Sequence, residues 1–575
     1  MRRFISYLRP YLPRMSLGLL IKFVGTMMDL LIPWILAYII DTIVPTRNIF
    51  DVVIWGGAMM LAAIVGLLGN VIANRMAARV AKDTTECIRH DLFAKISYLS
   101  SSQIDHFTLP SLISRLTADT YHIHHMIGMM QRLGVRAPIL LLGGMIVTVM
   151  LDPVLAMVLI GVQPLIAIVV IGVSKKGIPL YQALQTQVDS MVRILRENIA
   201  GVRIIKALSK GQHERERYVH VNDTVRKAEK RVGRTMAITN PSMNLLLNAG
   251  LSLVILAGAF RINAGQSQPG VIIAFLTYFT LILNAMLSIS RIFIISSKGF
   301  ASFGRIIEVL DTPEDLLVKA PDVLKNQPHI TFENVSFSYY KTTPNLNNIS
   351  FSISSGQTLG IIGPTGSGKS SIIRLLMRFY DCDSGTIRIH GHNVQSIPKD
   401  QLHEKFGIVF QDDMLFADSI SENIAFGRTV STQDLEVFAE MAQAGEFIGN
   451  LAEGFDHQLT IKGANLSGGQ RQRLLISRAL MGRPEILILD DASSALDYRT
   501  DANLRGAIQS ELSETTTIVV AQRISSIMHA DLILVIEDGA IIGQGTHDEL
   551  MKHCESYRHI AEVQMGGHHE VHHVI

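Results

Sequence analysis

The chain predicts a two-part fold. An all-α membrane domain of six transmembrane helices with long cytoplasmic extensions comes first, and an α/β domain built on a phosphate-binding loop follows. Three observations predict it. Apolar stretches long enough to cross a bilayer crowd the segment before about residue 300. From Pro328 onward, short strand-like runs alternate with helical ones. At one strand-to-helix junction stands "GPTGSGKS", Gly363–Ser370.

Composition agrees. A chain of 575 residues is too long for one hydrophobic core, so at least two domains are expected. Hydrophobic residues make up 48%, charged residues only 18%, and mean hydropathy is +0.29. Those values exceed soluble usage and point to a lipid bilayer as a partner. A net charge of +2 gives no reason to expect a nucleic-acid partner. Cys87, Cys382 and Cys554 are scattered, without metal-ligand spacing, and read as free thiols in a reducing compartment.

The elements are taken in chain order. "MRRFISYLRPYLPRM" alternates basic and apolar residues and lacks the long apolar core and cleavage site of a signal peptide. Residues 1–14 are therefore expected to form an interfacial elbow, with Arg2, Arg3, Arg9 and Arg14 facing anionic headgroups. Six spans follow: Leu17–Ile40, Val52–Ala73, Ile127–Met150, Val154–Val173, Pro241–Phe260 and Val271–Ile295. The first, third and fifth lead into short loops whose basic residues are Arg47 and Arg261. The other connections, Asn74–His125 and Ser174–Asn240, are long, basic and helical in period. The positive-inside rule puts these connections, both termini and the second domain in the cytoplasm. A bacterial inner membrane fits that topology.

Few polar residues interrupt the spans. Lys22 and Asp29 lie seven apart on the first, Asn284 and Arg291 seven apart on the sixth, and Arg132 and Arg136 enter the third. They would line a translocation pathway, or the arginines snorkel while Asp29 pairs within the bundle. Both readings stand for Asp29 and Arg291; for Arg132 snorkelling is preferred. Trp34, Tyr278 and Phe279 are expected to add aromatic surface to a mainly apolar pathway, which suits a small amphipathic substrate. Residues 1–310 thus form the membrane domain, 311–327 a linker, 328–565 the α/β domain, and 566–575 a histidine-rich, solvated tail.

The phosphate loop carries the first chemistry. It fits G-x-x-x-x-G-K-[ST] between the strand "TLGII" and the helix "SIIRLLMRF". The glycines Gly363, Gly366 and Gly368, with Pro364, Thr365 and Ser367 between them, let backbone N–H groups of the loop close around phosphate oxygens, and Ser371 continues the helix whose amino end adds positive potential. Lys369 is placed to reach the β- and γ-phosphates and Ser370 to ligate Mg²⁺.

"NLSGGQRQR" (Asn465–Arg473) then precedes a helix and the apolar run "ILILDD". The order of phosphate loop, "VFQDD", LSGGQ and an apolar strand ending in aspartate resembles the nucleotide-binding domain of an ATP-binding cassette (ABC) transporter. With six preceding spans, nearly the whole chain resembles an exporter half-transporter. The resemblance implies ATP and Mg²⁺ as cofactors. It implies that Tyr339 (with Tyr340 as fallback) stacks on adenine, that Gln411 contacts Mg²⁺, and that Asp490 holds the Mg²⁺ shell. It implies that Ser467, Gly468, Gly469 and Gln470 act in trans on ATP held by a second half-transporter chain, and that Asp497 joins the two sites. Residues near 104–119 and 199–218 resemble the two coupling loops.

The chain also departs from that pattern. Asp491 stands where the family carries its catalytic glutamate, and Gln522 where it usually carries a histidine. Ile461 and Lys462 replace a Glu-Arg pair. The reading that follows is a heterodimeric exporter subunit whose own site binds ATP and hydrolyses it poorly. A homodimeric exporter using Asp491 as a slower base is the alternative, and a regulatory, ATP-gated membrane protein is a third.

Overall fold

The computed structural model describes residues 2–565; the histidine-rich tail lies outside the described residues. The chain divides into two compact units, Met1–Tyr98 with Thr108–Thr312, and Leu99–Phe107 with Pro313–Ile575. The stretch Leu99–Phe107, which chain order places among the spans, thus packs with the second unit.

The first unit is helical. Its six apolar helices are Arg2–Thr46, Ile49–Ser97, Leu109–Leu151, Pro153–Ala200, Gly211–Asn263 and Pro269–Leu310. Each has 42 to 53 residues, roughly twice the 20 or so that a bilayer requires. The excess forms the extensions expected from the periodicity. Small residues let the first two helices approach closely: a Cβ on Gly25 would stand 3.2 Å from the Gly66 carbonyl oxygen and 3.2 Å from the Asn70 nitrogen. Asp152 caps the fourth helix by accepting from the Val154 and Leu155 N–H groups. Its second oxygen accepts from Arg261 at 2.9 Å, which ties two short loops together. At the start of the chain, Phe4 is buried against Phe300 and Phe303, and Arg3 pairs with Asp311. The amino-terminal segment is therefore anchored to protein as well as suited to a membrane surface.

The polar residues of the spans sort clearly. Asp29 pairs with Arg136 at 3.1 Å and accepts from Asn70 at 3.3 Å; Lys22 donates to Asn74 at 3.0 Å. Arg132 donates to the Gly128 carbonyl of its own helix. Asn284 bonds only along its helix, to Thr280, and both it and Arg291 are exposed. One expectation is corrected. Tyr278 and Phe279 do not offer open aromatic surface: both are buried, and the Tyr278 hydroxyl donates to the Leu30 carbonyl at 2.6 Å. A buried phenol needs such a partner, and the run of apolar residues around it did not reveal which face turns inward.

Among the described residues, the second unit holds ten strands: β1 (Ile330–Phe337), β2 (Leu346–Ile353), β3 (Thr358–Ile362), β4 (Ser384–Ile389), β5 (His392–Asn393), β6 (Phe406–Val409), β7 (Ile486–Asp490), β8 (Thr516–Val520), β9 (Leu532–Glu537) and β10 (Ala540–Gly545). They form an antiparallel sheet, β2-β1-β4-β5, and a second sheet, β10-β9-β3-β8-β7-β6, parallel but for the β9–β10 pair. β7 shows why its sequence is uniformly apolar. Ile486 and Ile488 enter the core on one face, Leu487 and Leu489 the core on the other. The segment between the units is no free tether. Leu324 donates to Gly391, Asn393 donates to the Asp322 carbonyl, and Arg388 pairs with Asp322 at 2.8 Å.

Candidate nucleotide-binding site

The site forms where β3 ends and the helix Lys369–Leu376 begins. Gly368 makes that turn: its φ is +102°, and a Cβ would stand 2.8 Å from the Asn345 carbonyl oxygen. The amino end of the helix (Lys369, Ser370 and Ser371) then lines a cavity of about 270 Å³. Tyr339, Asn345, Thr365, Gly366, Arg374, Gln411, Asp490, Asp491 and Gln522 complete the wall. Parallel strands deliver these groups from distant parts of the chain, and ligands of such sheets bind outside the carboxyl ends of the strands. Gly363 and Pro364 stand behind the wall; their carbonyls accept from Lys369 Nζ at 2.9 and 2.7 Å. Ser367 is buried within the loop.

Charge is concentrated here. Burial pushes the Asp490 carboxyl above the usual range, opposed by the Ser370 hydroxyl and by Arg374 and Lys369. Asp491 is also raised, by burial first and by the adjacent Asp490 second. Burial lowers the Lys369 ammonium, and the two aspartates oppose that shift. The donor set fits a magnesium polyphosphate. A cation and a helix amino terminus suit the phosphates, while a hydroxyl, an amide oxygen and a carboxylate are hard ligands of the kind Mg²⁺ takes.

Asp491 and Gln522 meet directly. Asp491 leaves β7 with φ +54°, and its N–H donates to the Val520 carbonyl at 2.9 Å. This fixes it beside the end of β8, where Gln522 Nε2 donates to Asp491 Oδ2 at 3.2 Å. At the other end of the cavity, the Tyr339 hydroxyl bonds Ser371 at 3.1 Å and accepts from Arg374 at 3.1 Å. Its ring packs edge-on against Phe337 and Tyr380. Tyr340 is 85% exposed and lies outside the lining.

Ser467, Gly468, Gly469 and Gln470 are not in this cavity wall. Ser467 caps the helix Gly468–Leu480, accepting from the Gln470 N–H, and the Gln470 side chain returns the bond to Ser467. Asp497 caps the next helix, Tyr498–Glu511, through Thr500. Lys462 has φ +62° and Ile461 is exposed. Two partners escaped sequence reasoning. Arg374 lies one helical turn after Ser371, a spacing that would have placed it on the cavity face. The short helix Ser101–Phe107 overlaps the segment that resembles the first coupling loop, but its contact was not legible: Tyr380 donates to its Asp105 at 2.6 Å, and Asp105 shares a neighbouring cavity of about 380 Å³ with Ser370, Gln411 and Asp490.

A membrane domain of six long helices joined to a cassette with this phosphate loop defines an ABC exporter half-transporter, and the chain belongs to the ABC transporter family. Residues 15–286 match the ABC transporter transmembrane region and residues 346–494 the ABC transporter domain. An uncharacterized ABC transporter ATP-binding protein of Bacillus subtilis, YfiB, is 34% identical over 98% of this chain and 99% of its own length. The ATP-dependent lipid A-core flippase of Xylella fastidiosa is 30% identical over 88% of this chain and 86% of its own. A bacterial Atm1-family ABC exporter, solved with ATP bound, superposes with a TM-score of 0.82 at 25% identity, covering 98% of this chain and 99% of that one. The protein is a multi-pass membrane protein that couples ATP to transport.

Proposed function

We propose that the chain is one half of a heterodimeric exporter of hydrophobic or amphipathic substrates, and that its own site holds ATP but hydrolyses it poorly. The carrying observation is the bond from Gln522 to Asp491. Two of the positions that depart from the family pattern engage each other. Hydrolysis needs a carboxylate that polarises water in line with the γ-phosphate. Asp491 is one methylene short for that task, and its oxygen is engaged by a neutral amide.

Binding is better provided for. Lys369 and the helix amino end hold phosphate, Tyr339 takes the adenine, and Ser370, Gln411 and Asp490 hold Mg²⁺. When bound, Mg²⁺ neutralises phosphate charge. The capped Ser467–Gln470 helix start lies outside this cavity's lining and completes a partner's site. The loop at 199–218 supports dimer formation: Ile199, Ile204 and Leu208 are exposed there and suit contact with a second chain. ATP binding closes the two cassettes and turns the membrane cavity outward, by preferential binding to the closed state. We place both termini and the cassette in the cytoplasm of a cell whose inner membrane holds the spans.

A homodimer is the second reading, favoured by the raised Asp491 carboxyl, which makes a stronger base than an ordinary aspartate. The lipid A-core flippase among the relatives favours lipid as an alternative cargo. ATP turnover by the purified chain in lipid, alone and co-expressed with a second half-transporter, decides between them. The heterodimer reading expects a chain that binds ATP and is nearly inert alone, and an active pair. Brisk, substrate-stimulated turnover by the chain alone would overturn it in favour of the homodimer.

A further inference from the structure

The cassette carries a second cluster of ligating groups, at the end of its sheets remote from the phosphate loop. His329 immediately precedes β1, His390 immediately follows β4, and Glu485 immediately precedes β7. The antiparallel β1–β4 ladder continues one step further, because the His390 N–H donates to the His329 carbonyl at 2.7 Å. That register sets the imidazoles side by side, with ring centroids 4.0 Å apart. His329 is only 3% exposed. Its Nδ1 is engaged by the Thr516 hydroxyl at 2.6 Å, and its Nε2 is buried with no hydrogen-bond partner among the described residues. Buried ring nitrogens ordinarily have one. Glu485 Oε2 lies 3.7 Å from His390 Nε2, and one ligand atom from each of the three residues falls within 4.8 Å of the others.

We propose that His329, His390 and Glu485 form a binding site for a divalent transition-metal cation of the Zn²⁺ class. Two imidazole nitrogens and one carboxylate oxygen suit Zn²⁺, with water as the fourth ligand, and suit Mg²⁺ poorly. The surroundings supply what such a site needs. By accepting from Nδ1–H, the Thr516 hydroxyl would orient the His329 ring and leave the lone pair of Nε2 for the ion; its own proton has the Ser354 carbonyl as acceptor. Lys405 holds the Glu485 carboxylate at 2.9 Å, the kind of outer bond that steadies a ligating carboxylate. The side chains of His390 and Glu485 are 51% and 48% exposed; with His329 buried and Glu485 held by Lys405, His390 is the ligand free to turn. Turning is required, because imidazole lone pairs lie in the ring plane and stacked rings must splay to share an ion. The bound ion would pin the turn after β4 to the start of β7, clamping the antiparallel sheet to the strand that carries Asp490.

The test uses the full chain in lipid, purified without an affinity tag of histidines. Because His568, His569, His572 and His573 would chelate metal themselves, all four are replaced by serine in the reference protein. Zn²⁺ affinity is read by competition with a chromophoric chelator, and geometry by the visible absorption of Co²⁺. One tight equivalent is expected in the reference protein, with tetrahedral Co²⁺ absorption. H390A and E485Q are each expected to weaken Zn²⁺ binding at least tenfold while ATP binding is unchanged; both side chains are half exposed, so the fold should survive. H329Q, which removes the fixed ligand, should do the same. The absence of a tight equivalent, or affinity indifferent to H390A and E485Q, would overturn the proposal.

Discussion

Asp491→Glu is the most informative change. The added methylene advances the carboxylate by about 1.5 Å, one carbon–carbon bond. A displacement of about 1 Å at a reacting group is worth on the order of 100-fold in rate. Turnover by the chain alone should therefore rise by about two orders of magnitude. The backbone opposes part of the gain. Asp491 sits at φ +54°, a region that aspartate tolerates better than glutamate, and the strain costs about 1 kcal/mol. For a cassette of this size that lowers the melting temperature by roughly 2–4 °C. The assay is phosphate release at saturating ATP in lipid, with nucleotide binding and thermal unfolding measured on the same samples. A rate unchanged within a factor of about three, with binding intact, would refute the claim that carboxylate reach limits this site.

Lys369→Ala removes the cation that faces the phosphates and the side-chain donor to the Gly363 and Pro364 carbonyls; ATP affinity should fall at least tenfold, read by equilibrium binding of a fluorescent ATP analogue. Asp105→Ala breaks the 2.6 Å bond from Tyr380. ATP affinity should hold while stimulation of turnover by transport substrate drops by about fivefold or more, the lower end of ordinary coupling energies. Both aspartates at the end of β7 are shifted upward. A base with a raised pKa is active above that value, so turnover should fall on acidification at a higher pH than for an ordinary carboxylate. For stability the sign reverses: the charged form is disfavoured in the fold, and protonation as pH falls through the raised pKa relieves that cost. A turnover–pH profile with its acid limb at ordinary carboxylate values would count against Asp491 as base.

What was legible in the sequence follows from which constraints are local. Six spans could be read because lipid demands unbroken apolar length, and the phosphate loop because one turn dictates glycine, lysine and serine together. Tertiary choices were not legible. Tyr278 lies in an apolar run that gives no phase, and only the Leu30 carbonyl, 248 positions away, decides that it turns inward. The helix Ser101–Phe107 overlaps the segment that resembles a coupling loop, but its membership of the second unit rests on distant partners, Ser100 to Asp315 at 2.6 Å and Gln103 to the Pro313 carbonyl at 2.7 Å. Residues 311–327 read as a linker, and no local signal shows that Asp322 and Leu324 pair with the β4–β5 edge.

The departures at 491 and 522 looked independent in the sequence, 31 positions apart, and the sheet makes them one feature. β7 and β8 are parallel, with Asp490 opposite Val520, so whatever side chain stands at 522 faces whatever stands at 491. A glutamine is long enough to reach a short aspartate there, at 3.2 Å. A glutamate at 491 would carry its oxygens past that amide, and a histidine at 522 would present a rigid ring nitrogen in place of the amide. Each reversion alone therefore breaks a matched pair, and the two together restore a different one. Contacting residues of this kind couple by about 0.5–3 kcal/mol. In ATP turnover, the double variant D491E/Q522H should exceed the product of the single effects by about twofold to 100-fold, at roughly 1.4 kcal/mol per tenfold. Strict multiplicativity would mean that the Gln522–Asp491 bond has no part in setting the rate, and the poor hydrolysis proposed for this site would then rest on carboxylate length alone.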